Sequence, residues 1–207
     1  VTLNGAAVTL VDSSATVIAG ITATGALSVT SGGAITQSGA IDADSTASFA
    51  AGANAITLTN ASNDFSGAVS LSNSGSNDVS LTDANALDLG TVGVGQNLAV
   101  TTGGDLTDSG VLDISGAASF TTVGANGNIA LDQASDIDGV LSVTTHGTGT
   151  TSVTNLTGSI DLGAITTAEL TIDARGIAQS GVSTVSGASS FTSGANAISL
   201  DQANEFT

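Results

Sequence analysis

Apolar residues flank single polar ones along most of this chain. The pattern shows in short triplets: Leu27-Ser28-Val29, Ala47-Ser48-Phe49, Ile56-Thr57-Leu58, Val69-Ser70-Leu71, Val79-Ser80-Leu81 and Leu87-Asp88-Leu89. Each triplet is bounded by Gly, Ser, Asn or Asp. Period-2 alternation predicts half-buried strands, and no stretch carries apolar residues at i, i+3, i+4 and i+7 for the length of a helix. Strands this short do not pair stably as isolated hairpins. They gain stability by stacking in register on copies of themselves, so the pattern predicts a solenoid.

The copies are present. SFAAGANAITL at 48–58 returns as SFTTVGANGNIAL at 119–131 and as SFTSGANAISL at 190–200. Phe49, Phe120 and Phe191 are evenly spaced, Gly39, Gly110 and Gly181 keep the same interval, and Leu27, Leu98 and Leu170 keep it to within one position. Repetition at a fixed period, here about 71 residues, marks stacked units rather than separate domains. Residues 1–207 therefore read as one solenoid segment: a partial unit at 1–24, full units at 25–95 and 96–167, and a partial unit at 168–207. The absence of Met at position 1 and the stop inside a repeat lead us to expect a segment of a longer protein.

The triplets sort into three columns, which predicts three strands per coil. The first holds Leu27–Val29, Ala47–Phe49, Val69–Leu71 and Leu98–Val100. The second holds Ile35, Ile56–Leu58, Val79–Leu81 and Leu106, and the third holds Ile41, Phe65, Leu87–Leu89 and Leu112–Ile114. The first column steps from Val29 to Phe49, to Leu71 and to Val100, so about three coils make one unit. The last and longest step contains Gly90 to Gly95, expected as a protruding loop or an extra short strand, with Val92 (like Ile21 and Ile165) as its apolar contact. In this register the three Phe form one column along the axis, neighbours about 14–15 Å apart at a strand spacing of about 4.8 Å. Gly and Asn at the corners are expected to supply positive φ, and corner Asn residues to stack as a ladder.

Composition narrows the chemistry. The chain has no Pro, Cys, Met, Trp, Tyr or Lys, and its 27 Gly and abundant Ala leave a thin core of Val, Ile, Leu and Phe. A missing Pro suits a fold in which nearly every backbone N–H joins a ladder. The 18 acidic residues face one Arg, for a net charge of −17. Nucleic acid binds through Lys and Arg, and anionic membranes repel such a chain, so neither is expected as a partner. Lack of Cys fits an extracellular protein without disulfides and equally a cytosolic one.

Phrases such as GGAITQSGAIDADSTASF (32–49), GANAITLTNASNDFSGAVSLS (52–72) and DANALDLGTV (83–92) resemble the repeats of very large secreted bacterial proteins. They are similar to filamentous haemagglutinin-like adhesins, and the likeness spans the whole chain. The resemblance implies a right-handed parallel β-helix and a bacterial extracellular or cell-surface location. The secretion domain of that family is not in this stretch.

Candidate chemistry is sparse. His146, the single histidine, sits in the polar turn Thr144 to Gly149 and reads as a loop residue. Arg175 is the single fixed cation, whereas β-helical lyases need several groups to stabilise a developing carbanion. Asp42/Asp44 and Asp136/Asp138 are spaced i, i+2, as hydrolase and Ca²⁺ carboxylates are. By column, however, the first pair becomes Leu112/Ile114 and Ser183/Val185 in the other units. The Gly-Gly-x-Gly-x-Asp nonapeptide of calcium-binding β-rolls is absent, so only weak, charge-driven Ca²⁺ binding is expected. Gly93-Val94-Gly95 is no phosphate cradle, since neither a Lys nor a helix follows. Asn60-Ala61-Ser62 and Asn155-Leu156-Thr157 match the glycosylation sequon. Thr-x-Thr does not recur on one column, which argues against an ice-binding face.

No catalytic, metal or cofactor-binding residue is assigned, and an enzyme is not expected. The expected role is structural: a β-helical stalk of a large adhesin. One alternative is a self-associating extracellular fibre or matrix protein. The other, a carbohydrate-binding or carbohydrate-active β-helix, lacks the aromatic faces that sugar recognition uses.

Overall fold

A computed structural model describes residues 1–207. The chain consists of short strands and corners without a helix. The strands pair in parallel, coil upon coil, as a β-solenoid. Two walls run its length. The first stacks ten strands in line from Val8–Asp12 to Ser189–Thr192, and the second stacks ten from Thr16–Ile18 to Glu205–Phe206. A third row of short strands, Thr2–Gly5, Gly20–Ala23, Ile41–Ala43 and Asp64–Phe65, completes the first coils at three strands each.

The triplets fold as their alternation requires. In Ile56–Leu58 both ends are buried and Thr57 is exposed, because successive side chains point to opposite faces of a strand. The inward residues merge into one core of 44 buried hydrophobics. Phe49 and Phe65 meet edge to face within it, ring centroids 6.0 Å apart at 83°, which is the favourable geometry for two aromatic quadrupoles.

The register between units differs from the one expected. Phe49 lies on the first wall between Val29 and Leu71. Phe120 lies on the second wall between Val100 and Val143, and Phe191 is back on the first beside Ile172. Leu27, Leu98 and Leu170 alternate likewise. The single Phe column is therefore overturned, and Leu98–Val100 continues the Val79–Leu81 column, not that of Val69–Leu71. Along the first wall, the strand of Leu27 reaches that of Leu170 through the strands of Ala47, Val69, Leu87, Leu106, Ile129 and Thr151, seven steps for two units. One unit thus spans three and a half coils, and each unit faces the opposite way from the one before it.

The half coil has a specific source. The expected loop at Gly90 to Gly95 is instead part of one long strand, Leu87–Val94. Its first half pairs with Leu106–Asp108 and its second half with Leu112–Ile114. Ile160–Thr167 repeats this with Ile177–Gln179 and Ser183–Val185. Each long strand carries the chain past a whole wall, so the third strand of later coils, such as Leu112–Ile114 and Asp136–Ile137, appears at the other end of that wall. A register shift lets the long strand do this, and it falls at Gly90 and at Gly163. A Cβ at Gly90 would lie 2.6 Å from Ser70 Oγ, and one at Gly163 would lie 2.6 Å from Ser142 Oγ.

Corner glycines also have a reason other than the one expected. Positive φ is confined to a few corners, among them Gly52, Gly75, Gly147, Gly194 and the non-glycine Asn126. Elsewhere the constraint is the coil beneath: a Cβ at Gly103 would lie 1.8 Å from the Ala84 carbonyl oxygen. No such contact exists at Gly93, which has open space on its side-chain face.

Two outcomes test this packing. Gly103→Ala should destabilise the fold by forcing two coils apart, while Gly93→Ala should stay within about 0.5 kcal/mol of the parent in chemical denaturation. Phe120→Ala should cost about 3–4 kcal/mol, because a stacked core held by backbone ladders collapses poorly around a cavity.

Candidate functional site

The residues singled out by chemistry do not converge. His146 stays in an exposed turn, where its Nδ1 lies 2.8 Å from the Thr122 carbonyl oxygen and Gly147 takes a φ of +64°. Imidazole Nδ1–H donating to a carbonyl leaves a positioned corner residue, with no nucleophile in its company. Arg175 is exposed at the corner after Leu170–Ala174, and its backbone N–H bonds Gly158 across the coils. The sequon residue Asn155 is fully buried and accepts the Ile137 N–H at 2.8 Å, so it is closed to modification. Asn60 accepts the Ser62 N–H at 2.9 Å in a local turn. Gly93 and Val94 lie inside the long strand, and Gly95 packs over Gly75 at the next corner.

Asp42 is exposed within the strand Ile41–Ala43, whereas Asp44 is exposed at the bend that follows it, so the expected pair does not share a strand face. The pairing that recurs is a different one. Asp42 stands beside Asp64 on the next coil, and Asp113 stands beside Asp136 in the same way. Asp113 and Asp136 follow Asp42 and Asp64 one unit later, so the unit interval itself was the missed signal. Like charges opposite one another on a sheet repel. No group of three or more His, Asp or Glu side chains has the geometry to hold a metal ion.

Polar side chains instead satisfy corners. Asp78 accepts from the backbone and side chain of Asn97, and Asn97 Oδ1 accepts the Ala117 N–H at 2.9 Å. Asp105, Asn128 and Thr150 repeat this ladder. The expected Asn stacks are thus mixed Asp/Asn stacks. Inside the tube, fully buried Asn63 accepts the Ile41 N–H and the Gln37 amide, and donates to the Leu58 and Thr82 carbonyls. Buried Asp83 accepts the Phe65 N–H at 2.9 Å, the bond that Asn155 makes to Ile137 one unit later. Burial pushes the Asp83 carboxyl above its usual range, against the lowering pull of the N–H bonds from Phe65 and Asn85.

Two surface features escaped the sequence analysis. Thr82, Thr101, Thr121, Thr144, Thr166 and Thr184 form one column on the outer face of the second wall. The column beside it is Ser80, Ala99, Ser119 and Ser142, so Thr-x-Thr pairs do not repeat. The threonines were spread over unlike positions of the three expected columns, and only the second-wall register aligns them. At the matching place in the preceding unit, on the first wall, Ala50, Ser72 and Gly93 replace Thr121, Thr144 and Thr166. Those smaller side chains leave a shallow hollow of about 310 Å³, edged by Ser48, Ser70 and Thr91.

The fold and its period define a repeat protein, and the family comparison agrees. A model described as "Repeats of unknown function (DUF5649)" matches residues 5–72, 76–144 and 148–207. The chain belongs to this family, in three consecutive copies whose starting positions keep the interval already seen in the sequence. No curated protein and no solved structure matches the chain.

A metal chelator should therefore leave the melting temperature unchanged, and sodium chloride should raise it by screening Asp42 from Asp64 and Asp113 from Asp136. A chelator-induced drop of tens of degrees would reveal a built metal site. Asn63→Ala should cost more than about 2 kcal/mol, since it orphans the buried Ile41 N–H and takes the amide donor away from the Leu58 and Thr82 carbonyls.

Proposed function

We propose that the segment is the rigid stalk of a large secreted or cell-surface bacterial adhesin. The observation that supports this best is the unbroken core: three family copies share one row of buried side chains, with no interruption at the unit boundaries. Such a body resists bending because every coil is tied to the next by backbone ladders. The likeness of its phrases to haemagglutinin-type repeats supplies the adhesin reading, and a host, cell-surface or matrix ligand would then be met elsewhere along such a protein. The acidic surface favours solubility and disfavours nucleic acid or membrane as partners.

A self-associating fibre is the second reading. The hydroxyl column on the second wall favours it, since from Thr82 to Thr184 it carries no charge in a molecule of net charge −17. Copies could meet there without repulsion.

Negative-stain images at neutral pH separate the two: separate short rods support the stalk, and long or laterally bundled filaments overturn it in favour of the fibre. Inserting one further unit should lengthen the rod by about 17 Å, three and a half strand spacings.

A further inference from the structure

The side chain at the end of the strand Leu106–Asp108 occupies a place that the neighbouring units fill with an amide. Gln37, Asp108 and Gln179 are equivalent, each one unit interval from the next. In the first unit, Gln37 Oε1 accepts the Asn60 N–H at 3.2 Å, while its Nε2 donates to Gly39 O and to Asn63 Oδ1, both at 2.8 Å. In the last, Gln179 Nε2 donates to Ser183 Oγ and to Asn204 Oδ1. Asp108 keeps half of this arrangement. Its Oδ1 accepts the Asp132 N–H at 2.9 Å and the Gln133 N–H at 3.4 Å, and Gln133, two residues after Leu131 as Asn60 is after Leu58, is the equivalent of Asn60. Its Oδ2 is buried and has no partner, and only 7% of the residue is exposed. That oxygen stands in for the donating NH₂ of the two glutamines.

We propose that Asp108 holds a proton where the flanking units hold an amide, so that this junction between coils is tight in mild acid and loosens as the pH rises. An oxygen bearing hydrogen restores a donor on the side where the glutamines donate. A buried, unpaired carboxylate oxygen costs the full desolvation of its charge. The charged groups facing Asp108 add to that cost. Asp132, on the chain after Ile129–Leu131, and Asp88, on the strand Leu87–Val94, are both negative. Asp113, on the neighbouring strand Leu112–Ile114, is exposed. Burial is the leading cause that holds the Asp108 carboxyl above its usual range. The two N–H bonds oppose it, and the charges of Asp132 and Asp88 reinforce it.

The sign follows from linkage. A carboxyl that ionises at higher pH in the folded chain than in the unfolded one contributes its full stability below the unfolded value. The contribution shrinks as the pH rises through that value and levels off above the folded one. The junction therefore weakens going from acid toward neutrality, opposite to the behaviour of a salt-bridged Asp. This proposal is independent of the stalk reading, since it concerns the joint and not what the rod carries.

The test compares melting curves of the whole segment and of Asp108→Asn from about pH 4 to about pH 7. Both are made in an Asp83→Asn background, which removes the other buried carboxyl from the difference. The expected result is that Asp108→Asn melts higher than its parent near pH 7 and that the gap closes toward pH 4. Carbon NMR of the unmutated segment gives an independent readout: one carboxyl resonance, absent in Asp108→Asn, titrates above the bulk of the others. Equal melting curves at every pH, or an Asp108 resonance that titrates with the bulk, overturn the proposal. So does a neutral-pH rise in melting temperature with calcium chloride that requires Asp108, because the orphan oxygen would then serve a cation.

Discussion

Everything in this molecule depends on the close approach of one coil to the next. Parallel strands about 4.8 Å apart bring corner backbones into contact as well as walls. The corners can therefore accept only residues that leave that distance alone. Glycine at position 103 is set by a carbonyl oxygen of the preceding coil, not by its own dihedral angles. The same spacing lets Asp78, Asn97 and Ala117, or Asp105, Asn128 and Thr150, pass hydrogen bonds up a corner. The 124 backbone hydrogen bonds, many of them outside regular strands, show that corners are tied nearly as fully as walls. With so little aromatic mass, the fold relies on repetition of small contacts instead of a wide core.

The half-coil advance is what makes this solenoid more than a simple stack. Equivalent residues of neighbouring units lie on opposite walls, so any surface property coded once per unit is displayed alternately on two faces. The carboxylate pair Asp42 and Asp64 and its copy, Asp113 and Asp136, are an example. The hydroxyl column and the hollow are another: the same structural position carries Thr121, Thr144 and Thr166 on one wall and Ala50, Ser72 and Gly93 on the other. A rod of this kind spreads its charge and its neutral strips around its girth, which bears on how copies can meet side by side.

Buried polar groups occupy a second layer of the design. Gln37 with Asn63 and Gln179 with Asn204 form closed amide pairs inside the tube. The middle unit substitutes the shorter Asp108 and Ser135, and the pairing is lost there. Neutral amides suit a buried place because they donate and accept without carrying charge. A carboxylate in the same place must shed its charge or remain costly, which is why one unit of three would respond to acidity.

Local alternation and the constant unit interval were enough to specify a helix-free parallel solenoid with three-strand coils, because strand period and repeat period are properties of neighbours along the chain. They also identified the buried members of nearly every triplet. The relation between units was decided elsewhere. Whether Leu98 stacks on the column of Leu71 or on that of Leu81 depends on where the chain turns, and both columns offer the same apolar–polar–apolar surface. The strand Leu87–Val94 settles it by running past a whole wall, using a register shift at Gly90 that local alternation does not encode. That half coil also decided which side chains share a face, and so which threonines align and which carboxylates meet. The orphan oxygen of Asp108 was equally out of reach of composition, since it exists only because a glutamine site, defined by the coils above and below it, received a carboxylate in place of an amide.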